Sequence, residues 1–378
     1  MRILVLGWYY SSNLGDAVIC ECTARLLQNH YPQAEITIRD LAGRTGFPTR
    51  SPQNLDEVKR LCRRQRLRNA AVRLGWDKQL SHEQWCLNQS LPQMDAVTAG
   101  EWDLAVYAGG QLFMDSLALY VEHTVRDLEK RNIPVIFNAC GTGPSVSPAV
   151  QQRLAKALMA SNVRLVSCRD GVDIINGWCA GKVAVSTDDA ALWTDVCYGK
   201  QAERSNIVGL GVLCPHSLSQ KKTAAFWQRL IRELDAAQIR WKLFTNGDEK
   251  DMTFARTLLD GRPEAEFLCP APEKPEELVS LIGSFRSIIG FRLHSHIIAA
   301  SLGIPSVAMI WDQKLPRFFE KMDLPDRCFT IRASGRAVLA ALRAAEQTPP
   351  SAELVAKHRN AARNLLLDSA DEILRGAR

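Results

Sequence analysis

The segment Gly290–His296 reads GFRLHSH and directly follows the apolar run Ser287–Ile289. An arginine at the end of a buried strand is costly to desolvate unless it meets an anion. His294 stands two residues after Arg292, and a helix is predicted to begin at about Ser295, so that its partly positive N-terminus lies beside both. A guanidinium, an imidazole and free backbone N–H groups would then converge on one point. Such a point suits a small anion with several charges.

A further cationic residue follows the next predicted strand. The run Ser306–Trp311 is followed by Asp312, and Lys314 lies two residues beyond. Neighbouring parallel strands end at the same edge of a sheet, so that His294 and Lys314 can point into one cleft. An isolated histidine is usually structural, whereas a histidine with arginine and lysine at successive strand ends favours a functional role.

The first half of the chain offers another arginine at a strand end. Arg169 poses the same problem as Arg292, and a structural ion pair with Asp170 or with a neighbouring strand is the alternative interpretation. Two carboxylates, Asp188 and Asp189, follow the last predicted strand of this half. They could bind sugar hydroxyls or act as a base, and helix capping explains them equally well.

The loop after the first predicted strand carries Asn13-Leu14-Gly15-Asp16. Gly15 permits a tight turn, and Asn13 or Asp16 could cap the helix that follows. The N-terminus of that helix would face the cleft and offer N–H groups to a ligand, although capping alone also explains Asp16. The loop lacks the G-x-G-x-x-G pattern of dinucleotide-binding sites.

Glycine pairs end two more predicted strands. Gly109-Gly110 ends the run from Leu104, and Gly141-Thr142-Gly143-Pro144 ends the run from Pro134. Both pairs lie where the backbone must turn at the edge of the cleft. A phosphate or sugar could approach there, and a plain turn is the simpler interpretation of either pair alone.

Short apolar runs that alternate with amphipathic stretches would position these residues, a pattern typical of βαβ units and parallel sheets. Predicted strands of the first half are Ile3–Trp8, Glu35–Asp40, Leu104–Gly110, Pro134–Gly141, Arg164–Asp170 and Val183–Thr187, with a helix at Asp16–His30. The pattern restarts after a polar stretch, with predicted strands at Ile207–Cys214, Trp241–Gly247, Glu266–Pro270, Ser287–Phe291, Ser306–Trp311 and Cys328–Ile331. Further helices are predicted at 223–236, 249–259, 275–283, 294–302, 334–346 and about 351–375.

The sequence therefore predicts an α/β fold with two Rossmann-like domains facing a cleft. A chain of 378 residues is long enough for two domains, and we place the boundary near residue 200, which gives domains at 1–200 and 201–378. The last predicted helix could pack back on the first domain. Ligands of such sheets bind beyond the carboxyl ends of the strands.

Composition narrows the class of protein. A net charge of +6 with a pI near 8.7 is a mild basic excess, which suits anionic substrates and does not indicate nucleic acid as a partner. The 11 cysteines form no C-x-x-C pair, which favours reduced thiols. The apolar run at the N-terminus is too short for a signal peptide, and no apolar stretch reaches the length of a membrane span. We therefore predict a cytoplasmic protein without a metal site, since no His and Cys cluster has metal-ligand spacing.

Segment 55–78 carries eight Lys or Arg residues against three acidic ones. Its apolar residues could form one stripe, and a basic amphipathic helix can lie on an anionic bilayer. Peripheral contact with the inner face of the membrane is thus one interpretation, and a solvated helix face packed on its own domain is the other.

In their order, these elements resemble the polysaccharide pyruvyl transferase family over residues 1–320. The matching elements are Asn13-Leu14-Gly15-Asp16, Gly109-Gly110, Gly141-Thr142-Gly143-Pro144, Ser167-Cys168-Arg169-Asp170, Asp188-Asp189-Ala190, Arg292-Leu293-His294-Ser295, Gly303-Ile304-Pro305 and Asp312-Gln313-Lys314. No single element is specific, and the ordered set carries the resemblance. Cys168 before Arg169, and Gln313 where a proline is frequent, are departures that remove no charged group.

The resemblance implies a glycosyltransferase-B-like (GT-B-like) architecture and transfer of pyruvate from phosphoenolpyruvate onto a sugar as a cyclic ketal. Arg169, Arg292, His294 and the backbone of Leu293 would hold phosphoenolpyruvate, and Lys314 corresponds to a family lysine. Histidine titrates near neutral pH and suits acid/base work, which we assign to His294. No cofactor is required, because phosphoenolpyruvate is the donor substrate.

The acceptor side stays open at this stage. Candidates for the base that activates the sugar are Asp16, Asp188 and Asp189, and the other candidate substrate-binding residues are Asn13, Gly15, Gly110 and Gly143. The acceptor would be a sugar of a surface polysaccharide or a lipid-linked oligosaccharide.

Two rival functions share this predicted fold. A nucleotide-sugar glycosyltransferase often places a carboxylate on the ribose after a late strand, where this chain has Lys314 and Arg317, with Glu320 as the nearest acid. A non-catalytic anion-binding subunit of envelope assembly is the other rival. The retained cations and His294 argue against it.

Overall fold

The computed structural model describes residues 1–48, 60, 63, 67, 93–143, 146–179, 184–199, 203–214 and 218–376. The basic segment 55–78, apart from three of its residues, lies outside the described residues, as do Pro144 and Val183. Contact of that segment with a membrane, and a cytoplasmic location, stay predictions. Among the described helices, none combines the length and the apolar character needed to cross a membrane.

The N-terminal half is built on a parallel sheet of seven strands. These are β1 (Arg2–Gly7), β2 (Glu35–Asp40), β3 (Leu104–Tyr107), β4 (Gly110–Phe113), β5 (Val135–Thr142), β6 (Val163–Cys168) and β7 (Val185–Ser186). Their order is β2-β1-β3-β5-β6-β7, and β4 pairs with β5. The helices are α1 (Gly15–His30), α2 (Ala118–Lys130), α3 (Pro148–Leu158), α4 (Val172–Trp178) and α5 (Thr194–Tyr198), and Ala190–Trp193 forms a 3₁₀ turn.

The C-terminal half repeats this architecture with five parallel strands. They are β8 (Val208–Gly211), β9 (Trp241–Phe244), β10 (Ser287–Gly290), β11 (Ser306–Met309) and β12 (Cys328–Phe329), in the order β12-β11-β10-β8-β9. The helices are α6 (Gln220–Ala236), α7 (Glu249–Arg256), α8 (Glu264–Phe267), α9 (Pro275–Gly283), α10 (Leu293–Ser301), α11 (Lys314–Lys321), α12 (Gly335–Gln347) and α13 (Ala352–Gly376), and Pro325–Arg327 forms a 3₁₀ turn.

One predicted strand is wrong. The segment Glu266–Pro270 was predicted as a strand, but its first two residues belong to the short helix α8. This helix starts directly after Pro263, with Glu264 in its first turn. Glutamate is favourable in the first turn of a helix, and proline cannot continue a strand ladder. Only Leu268 forms an isolated bridge, to Leu243 of β9.

The single predicted run Leu104–Gly110 is two strands in the structure. The backbone leaves β3 after Tyr107, and φ is +108° at Gly109 and +84° at Gly110. Glycine adopts these angles without strain. The turn moves the chain to the other end of β5, where Gly110 pairs with Cys140 and Phe113 with Thr142.

Apolar packing joins the two halves. One continuous core runs from β1 and α1 of the first half to α9, α10 and β10 of the second. The C-terminal helix α13 lies against the first half, where the indole N–H of Trp193 donates to the carbonyl of Arg359 at 3.2 Å and Tyr31 donates to Asp371 at 2.6 Å. The backbone N–H of Leu14 also donates across the cleft to the carbonyl of Asn246 at 2.9 Å.

The strand order identifies one point in each sheet for a ligand. Strand order reverses between β1 and β3 in the first sheet and between β8 and β10 in the second, because from each of these points the chain adds its parallel strands first on one side and then on the other. Doubly wound sheets bind ligands at such points, beyond the carboxyl ends of the strands. In this protein the loop after β1 and the loop after β10 contact each other, so that the two points face one cleft.

We predict that Gly209→Ala destabilises the C-terminal half. A Cβ at Gly209, in β8, would lie 2.5 Å from Cδ2 of Phe285, so that a buried ring must move. Overpacking of this kind costs about 1–3 kcal/mol, which urea unfolding followed by far-UV circular dichroism would measure. Gly177→Ala is the matched control, because Gly177 lies in helix α4 with open space around it and should gain about 0.5–1 kcal/mol. Equal unfolding midpoints for both variants would contradict the packing argument.

Candidate active site

A cavity of about 300 Å³ lies between the two sheets at their carboxyl ends. Segments after β1, β4 and β6 form one wall, and segments after β9, β10 and β11 form the other. The lining residues are Trp8, Ser11, Ser12, Asn13, Asp16, Gly109, Gln111, Leu112, Met114, Ser116, Leu117, Arg169, Asp248, Arg292, Leu293, His294, Trp311 and Lys314. Seven of the residues proposed from the sequence are therefore brought together here.

Arg169 and His294 meet across the cleft, although 125 residues separate them in the chain. Nη1 of Arg169 lies 3.1 Å from Nε2 of His294 and also donates to Asp189, while Nε of Arg169 lies 3.4 Å from the carboxylate of Asp170. A guanidinium can only donate hydrogen bonds, so Nε2 of His294 must be the acceptor. The imidazole is then neutral, with its proton on Nδ1.

The start of α1 holds the other side of the imidazole. Nδ1 of His294 lies 3.8 Å from Oδ1 of Asp16 and 3.4 Å from the side-chain nitrogen of Asn13, which donates to Asp16 at 3.1 Å. Asp16 does not cap α1, since the N-cap is Leu14 and has no side-chain bond. The carboxylate instead accepts from Asn13 and lies beside the Nδ1–H of His294, beyond hydrogen-bond distance.

Burial and charge shift both pKa values at this contact. Burial lowers the pKa of His294 well below its usual value, and the charges of Arg169, Lys314 and Arg292 lower it further. Burial raises the pKa of Asp16, although Arg169 opposes this. The empty site thus disfavours positive charge on the imidazole and makes the carboxyl a stronger base than usual.

Arg292 is held from behind by a buried acid. Its Nε and Nη2 donate to Oδ2 of Asp251 on α7, at 3.1 and 2.5 Å, and the backbone N–H of Cys214 donates to the other oxygen at 2.7 Å. Burial raises the pKa of Asp251 to about 6, even though Arg292 lowers it. Among the described residues Nη1 of Arg292 has no hydrogen-bond partner, which leaves a donor for a ligand.

Lys314 is the first residue of α11 and lies at the mouth of the same cavity. Its Nζ donates to Oε1 of Gln111 at 3.3 Å, lies 3.7 Å from Asp312, and stands 4.6 Å from the centre of the Trp311 ring. Burial lowers the pKa of Lys314. The ring and the carboxylate hold this side chain against the cavity wall.

Five proposed residues do not line the cavity. Asp189 pairs with Arg169 and accepts the N–H of Ala191 at 2.9 Å, so that the capping interpretation describes part of its role. Asp188 pairs with residues of the second half and of α13, Gly110 lies beneath Asp16, and Gly143 packs beside Met114. Gly15 packs directly against His294. All five support the cavity from behind its wall.

Several lining residues carried a signal that the sequence analysis did not use. Gln111 directly follows the glycine pair, Asp248 follows strand β9, and Trp311 ends the run before Asp312. Ser12 donates to Asp248 across the cleft at 2.8 Å. Asp248 and Trp311 stand just beyond a strand, where ligand contacts were expected, whereas Gln111 lies within β4.

Comparison with known families agrees with this arrangement. The model of the polysaccharide pyruvyl transferase family matches residues 13–313, most of the chain. The protein belongs to this family. No curated protein matches the chain.

Solved structures establish the fold of this pyruvyl transferase family member. The UDP-N-acetylglucosamine 2-epimerase of Neisseria meningitidis, solved with UDP-GlcNAc, is 10% identical with a TM-score of 0.55, covering 98% of this chain and 100% of its own. The α,α-trehalose 6-phosphate synthase of Burkholderia multivorans is 12% identical with a TM-score of 0.54, covering 100% and 99%. The predicted α/β fold, two Rossmann-like halves in a GT-B-like arrangement, is confirmed.

No group of His, Cys, Asp and Glu side chains that could hold a metal ion occurs among the residues that the structure describes.

We predict that Gly15→Ala displaces the imidazole of His294. A Cβ at Gly15 would lie 2.4 Å from both Cβ and Nδ1 of His294 and would act as a wedge between the two halves. Misplacement by about 1 Å can lower turnover by up to roughly 100-fold, which an assay of pyruvyl transfer would measure. Gly46→Ala is the control, since Gly46 is exposed with open space around it. Equal turnover of the two variants would show that the contact does not position His294.

Proposed function

We propose that the protein transfers the enolpyruvyl group of phosphoenolpyruvate to a sugar of a surface polysaccharide or its lipid-linked precursor, forms a pyruvate ketal and releases phosphate. The observation that carries the proposal is the 3.1 Å contact between Arg169 and His294 inside a cavity that Arg292 and Lys314 also line. Three cations around one histidine form a site for a small, highly charged donor.

Charge complementarity supports phosphoenolpyruvate as that donor. It carries a carboxylate and a phosphate, roughly −2.5 to −3 charges near neutral pH. Arg169, Arg292 and Lys314 present cationic groups to the cavity, and each is also paired with an acid. Helix α10 begins at Leu293 with no side-chain cap on its N-terminus. Arginine grips carboxylate and phosphate groups through paired hydrogen bonds, whereas lysine acts as a point charge.

The pKa of His294 links donor binding to catalysis. In the empty site burial and the three cations keep the imidazole neutral, but a donor with about three negative charges would offset those cations. The pKa of His294 would then rise, and Nε2 would take up a proton once Nη1 of Arg169 turns from it to the donor. His294 lines the cavity, so that its Nε2 could then deliver this proton to the methylene carbon of the donor.

The remaining steps need a base on the sugar side. Once the methylene carbon is protonated, C2 becomes oxocarbenium-like and a sugar hydroxyl attacks it. The base takes the proton of this hydroxyl. Phosphate leaves with the C–O bond electrons, and a second hydroxyl closes the ketal as its proton passes to the now neutral His294. Asp16 is the best candidate base, because it lines the cavity and burial raises its pKa, whereas Asp188 and Asp189 lie behind the wall in ion pairs.

Uncharged residues of the N-terminal wall support a sugar acceptor. Trp8, Met114 and Leu117 offer apolar contact area, while Ser11 and Ser116 offer hydroxyl groups. A sugar ring has apolar faces and hydroxyl edges, and it fits such a mixed set of side chains. The acceptor would thus bind beside Asp16, the candidate base on the same wall.

The central experiment supplies the protein with phosphoenolpyruvate and a mixed oligosaccharide acceptor, and follows phosphate release and the pyruvyl mass gain. We expect both, and His294→Gln should lower kcat by at least about 100-fold while donor binding persists, because a general acid contributes 10²–10⁴. The control is His30→Gln, since His30 lies far from the cavity beside Asp371. Consumption of a nucleotide sugar would instead indicate a glycosyltransferase. Tight binding without turnover would indicate a non-catalytic subunit, and full activity of His294→Gln would exclude the assigned role.

We also predict that donor binding takes up a proton. At about pH 7.5 the phosphate of the free donor is already ionised, so uptake would report His294. Calorimetry in buffers of different ionisation enthalpy should give up to about one proton for the wild type and close to none for His294→Gln. In the complex kcat should fall as pH rises through the raised pKa, since the acid form is lost there. Net proton release by the wild type would contradict the mechanism.

A further inference from the structure

Lys321, the last residue of α11, connects the C-terminal half to the strand ends that carry Arg169. Its Nζ lies 2.9 Å from the carbonyl oxygen of Thr187, 3.0 Å from Oδ1 of Asp188 and 3.1 Å from the carbonyl oxygen of Arg169. An ammonium group has three N–H donors, so all three can be used at once. Each acceptor belongs to the N-terminal half.

The three oxygens mark the point at which two neighbouring strands end. Cys168 of β6 pairs with Ser186 of β7, and the N–H of Thr187 donates to the carbonyl of Cys168 at 2.9 Å. The next residues in each strand are Arg169 and Thr187, whose carbonyl groups both accept from Lys321. Lys321 therefore fixes the backbone from which the Arg169 side chain leaves the sheet.

The same short segment also holds the guanidinium of Arg169. Asp189, two residues after Thr187, pairs with Nη1 of Arg169. The second oxygen of Asp188 receives a 2.7 Å contact from Nδ1 of His358 on α13, which fixes that carboxylate from the other side. Arg169 is thus held at its backbone and at its side chain by one segment, and Lys321 and α13 hold that segment in turn.

Helix α11 contacts the N-terminal half at both of its ends. Lys314 at its start reaches Gln111, and Lys321 at its end reaches the strand ends. Eight residues of helix span about 10–12 Å and form a rigid link between these contacts. Opening of the cleft would have to break both contacts. Closure would place the side chains of Lys314 and Arg169 next to His294.

We infer that Lys321 is a positioning residue that locks the two halves together and sets the guanidinium of Arg169 against His294. This inference rests on the proposed function only for its kinetic readout. Lys321 does not line the cavity, and its side chain is 30% exposed, so it acts on the donor through Arg169.

A double-mutant cycle tests the inference. Lys321→Met should lower kcat/KM for phosphoenolpyruvate by about 10- to 100-fold, as expected when a binding group is misplaced by about 1 Å. Lys321→Arg keeps the charge and should recover part of this loss. In an Arg169→Lys background Lys321→Met should cost less than about threefold, because the residue on which it acts is already altered. Equal losses in both backgrounds, or no loss in either, would overturn the inference.

Lys130→Met is the matched control, because Lys130 is also the last residue of its helix and is exposed. It should leave kcat/KM unchanged, and thermal unfolding of each variant separates misfolding from misplacement.

A crystal structure of Lys321→Met, or of Lys321→Arg if the first variant unfolds, provides a readout that needs no donor. The distance from Nη1 of Arg169 to Nε2 of His294, now 3.1 Å, should lengthen by about 1 Å or more in the methionine variant and by less in the arginine variant. An unchanged distance would overturn the inference. A wild type that is inactive with phosphoenolpyruvate would refute the proposed function and leave this structural result to decide the role of Lys321.

Discussion

The structure depends on one contact, a buried guanidinium that donates to a buried imidazole from the opposite half of the molecule. A charged Arg169 next to His294 excludes a second positive charge at that point, since burial and neighbouring cations already lower the pKa of the histidine. Protonation of His294 therefore requires added negative charge at this point, which is what the proposed donor would supply.

Arg169 is buried and Arg292 is mostly buried in the empty protein, so each needs an acidic partner that lies outside the cavity. Asp189 and Asp170 approach Arg169 from behind the wall, and Asp251 approaches Arg292 from α7. An arginine without such a partner would be expensive to bury, and removal of one acid would leave an uncompensated charge. The acids compensate the charge, and both arginines still line the cavity, where we propose that they bind the donor.

The fold explains why such distant residues meet. Both sheets reverse their strand order at one point, and the loops from these points contact each other through Asn13 and His294. Apolar packing of α1 against α9, α10 and α13 holds the halves at this separation, with Gly15 leaving room for the imidazole. The residues of the site come together because of their positions in the two sheets, and not because they are close in the chain.

Local pattern was sufficient for the fold class and for the position of the cations, because apolar runs mark buried parallel strands and a charged residue just after such a run needs an anionic partner. The family followed from the resemblance of the ordered motifs. It was not sufficient for Glu266–Pro270, where apolar residues form a helix and one bridge, or for the break at Gly109, which depends on backbone angles. Only the tertiary structure decided which acid faces the histidine, that Asp188 and Asp189 lie behind the wall, and that Lys321 spans the cleft. The contacts of Asp16 with His294 and of Asp188 with Lys321 join residues more than 100 positions apart, and chain spacing does not encode distances of that kind.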